Sequence, residues 1–429
     1  MKKQVFHKRN LKCLFPIRFF SFIISVTENR RFFPLAKKQR IGILGGSFDP
    51  VHRGHIAAAL GILNADYVDR LLVIPSGRPG YKSCSASAED RWKMLVAACS
   101  CDKRLVPSRL ELDRDGTTYA VDTLLAVRKE YPDAKLFYII GSDTLMTLHH
   151  WLRMDEVFRL CSFLVIPREE DSVICGREIS RLSAMGGNFR LLPPSSVRIS
   201  SSSIRAVLAG GGTPDDLNPA VLEYCRCKGL YNAPGRLDHI DEWIDKLFTA
   251  LKPRRFAHSL SVAASSALLA VRFGEDPLKA EQAGLLHDCA KCLPLKEMQR
   301  IAVDNSLTED PDVLSSDALL HSIVGACLAQ QEYGMEDPDV LEAISFHNTG
   351  YPGMSRLAMC VCLADYMEPL RESFPVLEEV RALSRVSLEK ALLLSLESTV
   401  NYVLARGWYL YPRTADTISW LRGLPSVQG

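Results

Sequence analysis

The stretch "RIGILGGSFDPVHRGH", Arg40 to His55, decides the reading of the first half of the chain. A short β-branched run ends in Gly45-Gly46, and a helical stretch, "HIAAALGILNA", begins at His55. A strand that closes on glycines and opens into a helix is a cradle for phosphate, because backbone N–H groups and the helix dipole both favour an anion there. Gly42, Gly45 and Gly46 do not spell G-x-G-x-x-G, so the dinucleotide fingerprint is excluded, and no G-x-x-x-x-G-K-[ST] is present to make a P-loop. His52 and His55 stand at i and i+3 on one face of a first helical turn, and Gly54 leaves room for a close approach. Such a pair can bind a metal, sit as satisfied structural histidines, or donate hydrogen bonds to a phosphate that gains charge in a transition state. The strand-Gly-Gly setting favours the third.

Outward from this stretch, short apolar runs alternate with helical ones as far as Tyr231. "RLLVIPSG", "AKLFYIIGSD", "FLVIPR" and "NFRLLPP" read as strands, with Pro75 just past the first of them. "SAEDRWKMLVAACS" reads as a helix capped by Ser87, and "VDTLLAVRKEYP" as a helix that stops near Pro132. Strands this apolar are buried on both faces, which predicts a doubly wound parallel sheet with helices on both sides. "YNAPGR", Tyr231 to Arg236, breaks the pattern. Beyond it the segments from "HIDEWIDKLFTALK" to "SLEKALLLSLESTVNYVLARG" carry helical apolar periods. The expected fold is therefore two domains, α/β followed by an all-α helical bundle. The expected boundaries are a basic extension over 1–39, the α/β domain over 40–232, a linker over 233–237 and the helical domain over 238–429.

A chain of 429 residues is long enough for two cores, and 47% apolar with 24% charged residues describes a soluble globular protein. The net charge of +2 hides an asymmetry: residues 1–40 carry eleven Lys or Arg against Glu28 alone, +10, so the rest sums to −8. A mildly acidic folded part argues against nucleic-acid binding through bulk charge. The 13 cysteines are odd in number and form no set of CxxC pairs, which points to a reducing cytoplasm. "LFPIRFFSFIISV", Leu14 to Val26, is interrupted by Pro16 and Arg18, falls short of the roughly 20 residues of a membrane span, and is followed by no small-residue cleavage site. Residues 1–39 are expected to be a disordered extension or to follow a start codon assigned too early. No other segment is expected to have the length of a membrane span, and no membrane partner is expected.

"GGSFDPVHRGH" resembles the H-x-G-H signature of the nucleotidylyltransferase superfamily, whose fold is Rossmann-like. Three further segments are similar to that family in its own order: "DGTTYAVDTL" (Asp115 to Leu124), "FYIIGSDTLMTLHHW" (Phe137 to Trp151) and "RISSSSIRAVL" (Arg198 to Leu208). Together, over about residues 40–232, they resemble bacterial nicotinate mononucleotide adenylyltransferases. The resemblance implies adenylyl transfer from ATP to nicotinate mononucleotide, giving deamido-NAD and pyrophosphate, with Mg²⁺ bridging phosphates. It implies that His52 and His55 act on the ATP phosphates, His55 nearest the α-phosphate. It implies ATP binding by Gly45, Gly46, Phe48, Ser200, Ser201, Ser202 and Arg205, and mononucleotide binding by Lys82, Thr118, Tyr119, Asp143 and Trp151. Trp151 also reads equally well as a core aromatic. The chain departs from the family pattern at "PGYK" (Pro79 to Lys82), where Pro-Pro-His-Lys is usual, and at "TTYA", where Ser-Tyr-Thr is usual. These departures leave nicotinamide mononucleotide or another phosphorylated acceptor as an alternative.

In the second half, His258, His287-Asp288, His321, His347 and Asp365 recur on successive helical segments. Six such groups among apolar residues are costly to bury without partners. Imidazole and carboxylate suit Fe, Mn or Zn, and six ligands exceed one tetrahedral site, so two metals are expected. Adjacent His287 and Asp288 cannot face one way on a straight helix, but a metal near a helix end can use both. The order H…HD…H…H…D, with "LLHDCAK", "ALLHSIVGA", "AISFHNTGYPGMSRL" and "LADYMEPLR", resembles the bacterial HD-domain symmetrical diadenosine tetraphosphatases over about residues 238–412. Asn348 stands where Thr is frequent. The resemblance implies hydrolysis of diadenosine tetraphosphate to two ADP at two divalent metals, Fe or Mn. It implies that His258, His287, Asp288 and Asp365 hold one metal, that His321 and His347 hold the other with Asp288 bridging, and that Lys291 and Arg371 neutralise substrate phosphates; both cations read equally well as solvated surface charges. The rival reading makes the HD domain a nucleotide-sensing module or a hydrolase of another nucleotide.

Overall fold

The computed structural model describes residues 38–77, 84–194, 199–233 and 240–428. The expectations for residues 1–37, for Lys82 and for most of the 233–237 linker lie outside the described residues. Six strands build one parallel sheet: β1 (Arg40–Gly46), β2 (Arg70–Pro75), β3 (Leu105–Pro107), β4 (Lys135–Gly141), β5 (Ser162–Ile166) and β6 (Phe189–Leu191). Their order is β3-β2-β1-β4-β5-β6, so the winding reverses between β1 and β4. Pro75, expected just beyond β2, is its last residue, opposite Gly46; a proline does little harm at a strand end. β3 has three residues on the sheet edge, too few for a periodic signal.

Helices α1 (Arg53–Asn64), α2 (Ala88–Cys99), α3 (Ala120–Glu130), α4 (Ser142–Thr147), α5 (Met154–Leu160), α6 (Ser172–Ala184), α7 (Ser201–Ala209) and α8 (Pro219–Cys227) flank the sheet. Alternate strand residues point to opposite layers. Leu71, Val73, Ile139 and Leu164 join the core under α1, α2, α7 and α8. Leu72, Ile74, Tyr138, Ile140 and Phe163 join a separate core under α3, α5 and α6. The expected doubly wound sheet is thus present. The Ser87 hydroxyl accepts the Asp90 N–H to start α2, and α3 ends at Glu130, short of Pro132.

No strand is found among the described residues after β6. Beyond α8 come α9 (Ile240–Ala250), α10 (Pro253–Phe273), α11 (Pro277–Leu286), α12 (Leu295–Asp304), α13 (Pro311–Ser315), α14 (Asp317–Tyr333), α15 (Pro338–Phe346), α16 (Arg356–Met367), α17 (Leu377–Leu383), α18 (Leu388–Ala405), α19 (Pro412–Arg422) and α20 (Pro425–Gln428). One expectation needs correcting. α10 is long and apolar enough to cross a membrane by length and composition, but 72% of its apolar window is buried inside the protein. It is apolar because it packs on α11 and α16 and also on α8 and α2.

Those last contacts join the two halves. One hydrophobic core runs without a break from Leu71, Leu95 and Val221 through Trp243, Ile244 and Leu247 to Leu260 and Leu363. Beside it the largely buried Lys93 ammonium, on α2, lies 2.5 Å from Asp245 on α9, and Lys228 lies 3.0 Å from Asp241. A shared apolar core couples the folding of what it joins. Calorimetry of residues 38–429 is therefore expected to give a single unfolding transition in which both halves melt together. Two separated transitions would show that the seam is too weak to couple them.

Candidate functional site

The reversal between β1 and β4 leaves a crevice at the carboxyl ends of the strands, the usual ligand position in a doubly wound sheet. A cavity of about 520 Å³ opens there, lined by Leu44, Gly141, Asp143, Arg168, Ser200 and Ser203 among others. Leu44 of β1 and Ala58 of α1 stand on its wall, which does not include the loop after β1. Gly45 faces the Tyr138 hydroxyl and Gly46 lies against the Phe48 ring; a Cβ on either would stand 3.1 Å from those atoms. Phe48 itself is buried and holds a positive φ of 48°.

His52 caps α1 in extended conformation, and its ring stacks on His55 with 3.6 Å between centroids. The His52 backbone N–H donates to His55 Nδ1 at 3.2 Å. That bond leaves the proton of neutral His55 on Nε2, as a donor for a ligand. A Cβ at Gly54 would meet the His52 ring at 3.1 Å and the Ile199 Cβ at 3.5 Å, so glycine lets α1 and the start of α7 close together. α7 brings its serines to the same loop. Ser200 caps it by accepting the Ser203 N–H, Ser201 Oγ donates to the Pro50 carbonyl at 3.1 Å, and Arg205 donates to the Asp49 carbonyl at 2.6 Å and to Ser202 Oγ at 3.3 Å. Two histidines, the start of α7 and a guanidinium thus converge from positions about 150 residues apart. An α-helix start beside donors that carry no negative charge suits polyphosphate.

The residues assigned to the mononucleotide are less gathered. Asp143 is exposed, pairs with Arg168 at 2.5 Å and lines the same cavity as Ser200. Tyr119 caps α3 and is 45% exposed. Trp151 is half-buried and packs edge-on to Tyr138, so the core reading of this aromatic holds in part. Arg153 reaches Asp122 at 4.0 Å, which brings the Trp151 segment to the first turn of α3. Thr118 donates to Glu111, a buried carboxylate that also accepts from Thr123 at 2.7 Å. The sequence reading missed Glu111, whose only signal was an acid among apolar neighbours.

The second constellation assembles completely. α11 ends at Leu286, so His287 and Asp288 sit on the turn that leaves the helix, as their adjacency requires. α10, α14 and α16 bring His258, His321 and Asp365 to them, and His347 follows the end of α15. The two oxygens of Asp288 face different partners. Oδ2 lies 3.4 Å from His287 Nε2 and 3.9 Å from His258 Nε2, whereas Oδ1 lies 3.3 Å from His321 Nε2 and 3.9 Å from His347 Nε2. Asp365 Oδ1 lies 2.9 Å from His258 Nε2. Donor atoms of His258, His287 and Asp365, and those of His287, Asp288 and His347, lie within 4.8 Å of one another.

Three of the histidines tie Nδ1 to a main-chain carbonyl: His287 to Gly284 at 2.7 Å, His347 to Ile344 at 2.8 Å and His321 to Asp317 at 3.0 Å. Their Nε2 lone pairs therefore face inward, the arrangement that metal-binding imidazoles adopt. The buried Nε2 atoms of His258 and His287 face carboxylate oxygens, Asp365 Oδ1 at 2.9 Å and Asp288 Oδ2 at 3.4 Å. Lone pairs and carboxylate oxygens that face one another across a common point fit a cation. Burial works to raise the Asp288 and Asp365 carboxyls. Their histidine neighbours, with Arg371 for Asp365, outweigh it and hold both well below the usual range.

Lys291 and Arg371 are not free surface charges. Lys291 Nζ lies against the His321 ring, 3.1 Å from Nδ1 and 3.2 Å from Nε2, and burial lowers its pKa. Arg371 pairs with Asp365 at 2.9 Å. Two more residues join the cluster that sequence reading did not single out. Arg255 pairs with Asp288 Oδ2 at 2.6 Å, and Glu368 meets His258 Nδ1 at 3.2 Å. Arg255 stands three positions from His258 on α10, and Glu368, which caps α16, three positions from Asp365; that spacing was the available signal.

A phosphate cradle at the switch point of a doubly wound sheet, followed by a helical His/Asp cluster, defines a nucleotidylyltransferase-type domain joined to an HD domain. The cytidylyltransferase-like family matches residues 43–207, and the HD domain family matches residues 255–370. A protein of Clavibacter michiganensis named "Probable nicotinate-nucleotide adenylyltransferase" is 34% identical over 202 residues, 47% of this chain and 98% of its own length. A protein of Mycoplasma genitalium named "Probable nicotinate-nucleotide adenylyltransferase/Ap4A hydrolase" is 28% identical over 373 residues, 85% of this chain and 99% of its own. A crystal structure from Clostridium acetobutylicum, described as a "predicted HD superfamily hydrolase involved in NAD metabolism", is 37% identical, with a TM-score of 0.42, over 43% of this chain and 98% of that one. The chain belongs to the nicotinate-nucleotide adenylyltransferase family, and it carries an HD domain behind the transferase domain.

The histidine pair has a measurable signature. Burial lowers His52 to about 4, and burial with the neighbouring His52 lowers His55 to about 3, from the ordinary 6.5. Between pH 6.5 and about 4 the unfolded chain takes up protons at both positions that the folded chain refuses, so their contribution to stability falls as pH falls. Denaturant unfolding across that window is expected to show a shallower fall for the double variant His52→Asn/His55→Asn than for the unsubstituted protein. Parallel profiles would mean that neither ring is held neutral by the fold.

Proposed function

We propose that the chain is a bifunctional enzyme. Residues 40–232 transfer the adenylyl group of ATP to nicotinate mononucleotide, and residues 238–429 hydrolyse diadenosine tetraphosphate to two ADP. For the transferase the supporting observation is the convergence of His52, His55, Ser200 to Ser202 and Arg205 on one loop. A phosphate oxygen of the mononucleotide attacks the α-phosphorus of ATP, the bond from that phosphorus to the β-phosphate oxygen breaks, and pyrophosphate leaves. No covalent enzyme intermediate is needed, so positioning and charge stabilisation do the work. His55 Nε2–H and His52 donate to the α-phosphate as its charge grows. The start of α7 and Arg205 hold the leaving pyrophosphate. The loop at Gly45, Gly46 and Phe48 holds the adenosine, and Mg²⁺ accompanies ATP. Thr118, Tyr119, Asp143 and Trp151, with Lys82, receive the mononucleotide.

For the hydrolase the supporting observation is the division of the Asp288 oxygens between two histidine sets. His258, His287, Asp288 and Asp365 would hold one divalent metal, and His321 and His347, with Asp288, a second; Fe or Mn suits the donors. Such a pair would supply Lewis acidity and an activated water. Arg255, Lys291 and Arg371 present cations to the substrate phosphates. Convergence of all six ligands favours turnover over a sensing role. The described cysteines are free thiols, which fits a cytoplasmic location.

The test is separation of products by chromatography. Full-length protein receives ATP, Mg²⁺ and nicotinate mononucleotide in one reaction, and diadenosine tetraphosphate with Mn²⁺ or Fe²⁺ in another. His55→Ala is expected to lower kcat for deamido-NAD formation by about 10²–10³, the cost of one lost oxyanion donor, and to spare ADP formation. Asp288→Asn is expected to abolish ADP formation and spare deamido-NAD. Equal efficiency with nicotinamide mononucleotide would defeat the nicotinate assignment, and metal-loaded protein that binds diadenosine tetraphosphate without turnover would defeat the hydrolase.

A further inference from the structure

The four histidines of the HD cluster are anchored in two different ways. His287, His321 and His347 give Nδ1 to neutral main-chain carbonyls. His258 alone among them gives Nδ1 to a carboxylate, that of Glu368 at 3.2 Å. Glu368 is 2% exposed, so no water dilutes the contact. It is also clamped: it closes the C-terminal end of α16, and its Oε2 accepts the Leu370 N–H at 2.6 Å. His258 rises from the neighbouring helix, and its Nε2 lies 2.9 Å from Asp365 Oδ1. The chain therefore runs from Leu370 N–H to Glu368, to His258 Nδ1–H, and on to the inward lone pair.

A buried carboxylate is a stronger acceptor than an amide carbonyl. It pulls the Nδ1 proton, raises the basicity of Nε2 and fixes both tautomer and ring orientation. The other histidines lack this push. The cluster is thus electronically lopsided, with the stronger donor on the side of Asp365.

We propose that Glu368 is a positioning residue that acts through His258 to make the metal position at His258, His287 and Asp365 bind more tightly than the position on the His321 and His347 side. The proposal rests on the reading of this cluster as a two-metal site. A merely structural Glu368 would hold α16 to α10 and leave the metals equal. The two roles differ in what the charge does, which Glu368→Gln isolates, because an amide oxygen of the same shape still accepts from Nδ1.

Metal-stripped full-length protein is titrated with Mn²⁺ alone by calorimetry, for the unsubstituted chain, Glu368→Gln and Glu368→Ala. The thermal midpoint of each metal-free protein and its deamido-NAD formation are recorded alongside. The unsubstituted protein is expected to bind two Mn²⁺ in unequal steps. Glu368→Gln is expected to weaken the tighter step by about 10- to 100-fold, the usual cost of losing a ligand's supporting partner. The weaker step, the metal-free midpoint and deamido-NAD formation are expected to stay put, and Glu368→Ala to weaken the tighter step at least as much. Two bound Mn²⁺ with unchanged steps in Glu368→Gln, or both steps weakened alike, would overturn the proposal while leaving the metal site standing. No Mn²⁺ bound by the unsubstituted protein would overturn the metal reading and the proposal together.

Discussion

The α/β half is organised around one buried carboxylate, Asp49. It is 2% exposed, and its oxygens accept the Ser85 and Ala86 N–H groups at 2.7 and 3.1 Å and the Tyr231 hydroxyl at 2.7 Å. Its carbonyl accepts from Arg205. Four remote pieces of chain meet there: the glycine loop, the lead into α2, the first turns of α7 and the last residues before the helical half. An ion removed from water in this way survives only if every lone pair finds a donor. Once that condition is met, the loop cannot drift, and the stacked histidines that follow it inherit a fixed position.

The HD cluster solves a related problem in the opposite way. Asp49 is satisfied by donors from the protein itself. Asp288 and Asp365 are buried or nearly so, and besides Arg255 and Arg371 they face imidazole nitrogens whose protons are drawn outward, by carbonyls at His287, His321 and His347 and by Glu368 at His258. Burying each carboxylate costs several kcal/mol. Arg255 and Arg371 offset part of that cost from the rim, and a cation between the lone pairs would offset more. The first half spends its buried charge on holding a loop still, and the second holds it ready for a ligand.

What the sequence revealed follows from where its signals are local. The glycine loop, the H-x-x-H spacing and the apolar strands each declare themselves within a few residues, so the doubly wound sheet and its phosphate cradle were legible. The six residues of the HD cluster stood out because histidines and acids are conspicuous in and beside apolar helices. Glu111 and Glu368 were not, since a single acid becomes meaningful only when its distant partners, Thr123 or His258, are known. β3 was too short to show a period. The seam was hidden for a different reason: an apolar helix face looks the same whether it meets its own bundle or another domain. α10 illustrates this, because contact on several sides made it apolar enough to resemble a span.

That same helix sets an order of events during synthesis. α8 is complete when Cys227 has been made, but the face it turns toward α10 has no cover until residues up to Phe273 have followed. At ~5–20 residues per second that stretch takes roughly 2–9 s to add. Throughout this interval a nascent transferase domain, with its sheet and cradle already encoded, presents a bare apolar surface to its surroundings. The ribosome-bound intermediate is therefore the stage at which this fusion is most exposed to mispairing and to capture by chaperones. The arrival of α10, which also carries His258, ends that exposure and begins the His/Asp cluster in one event.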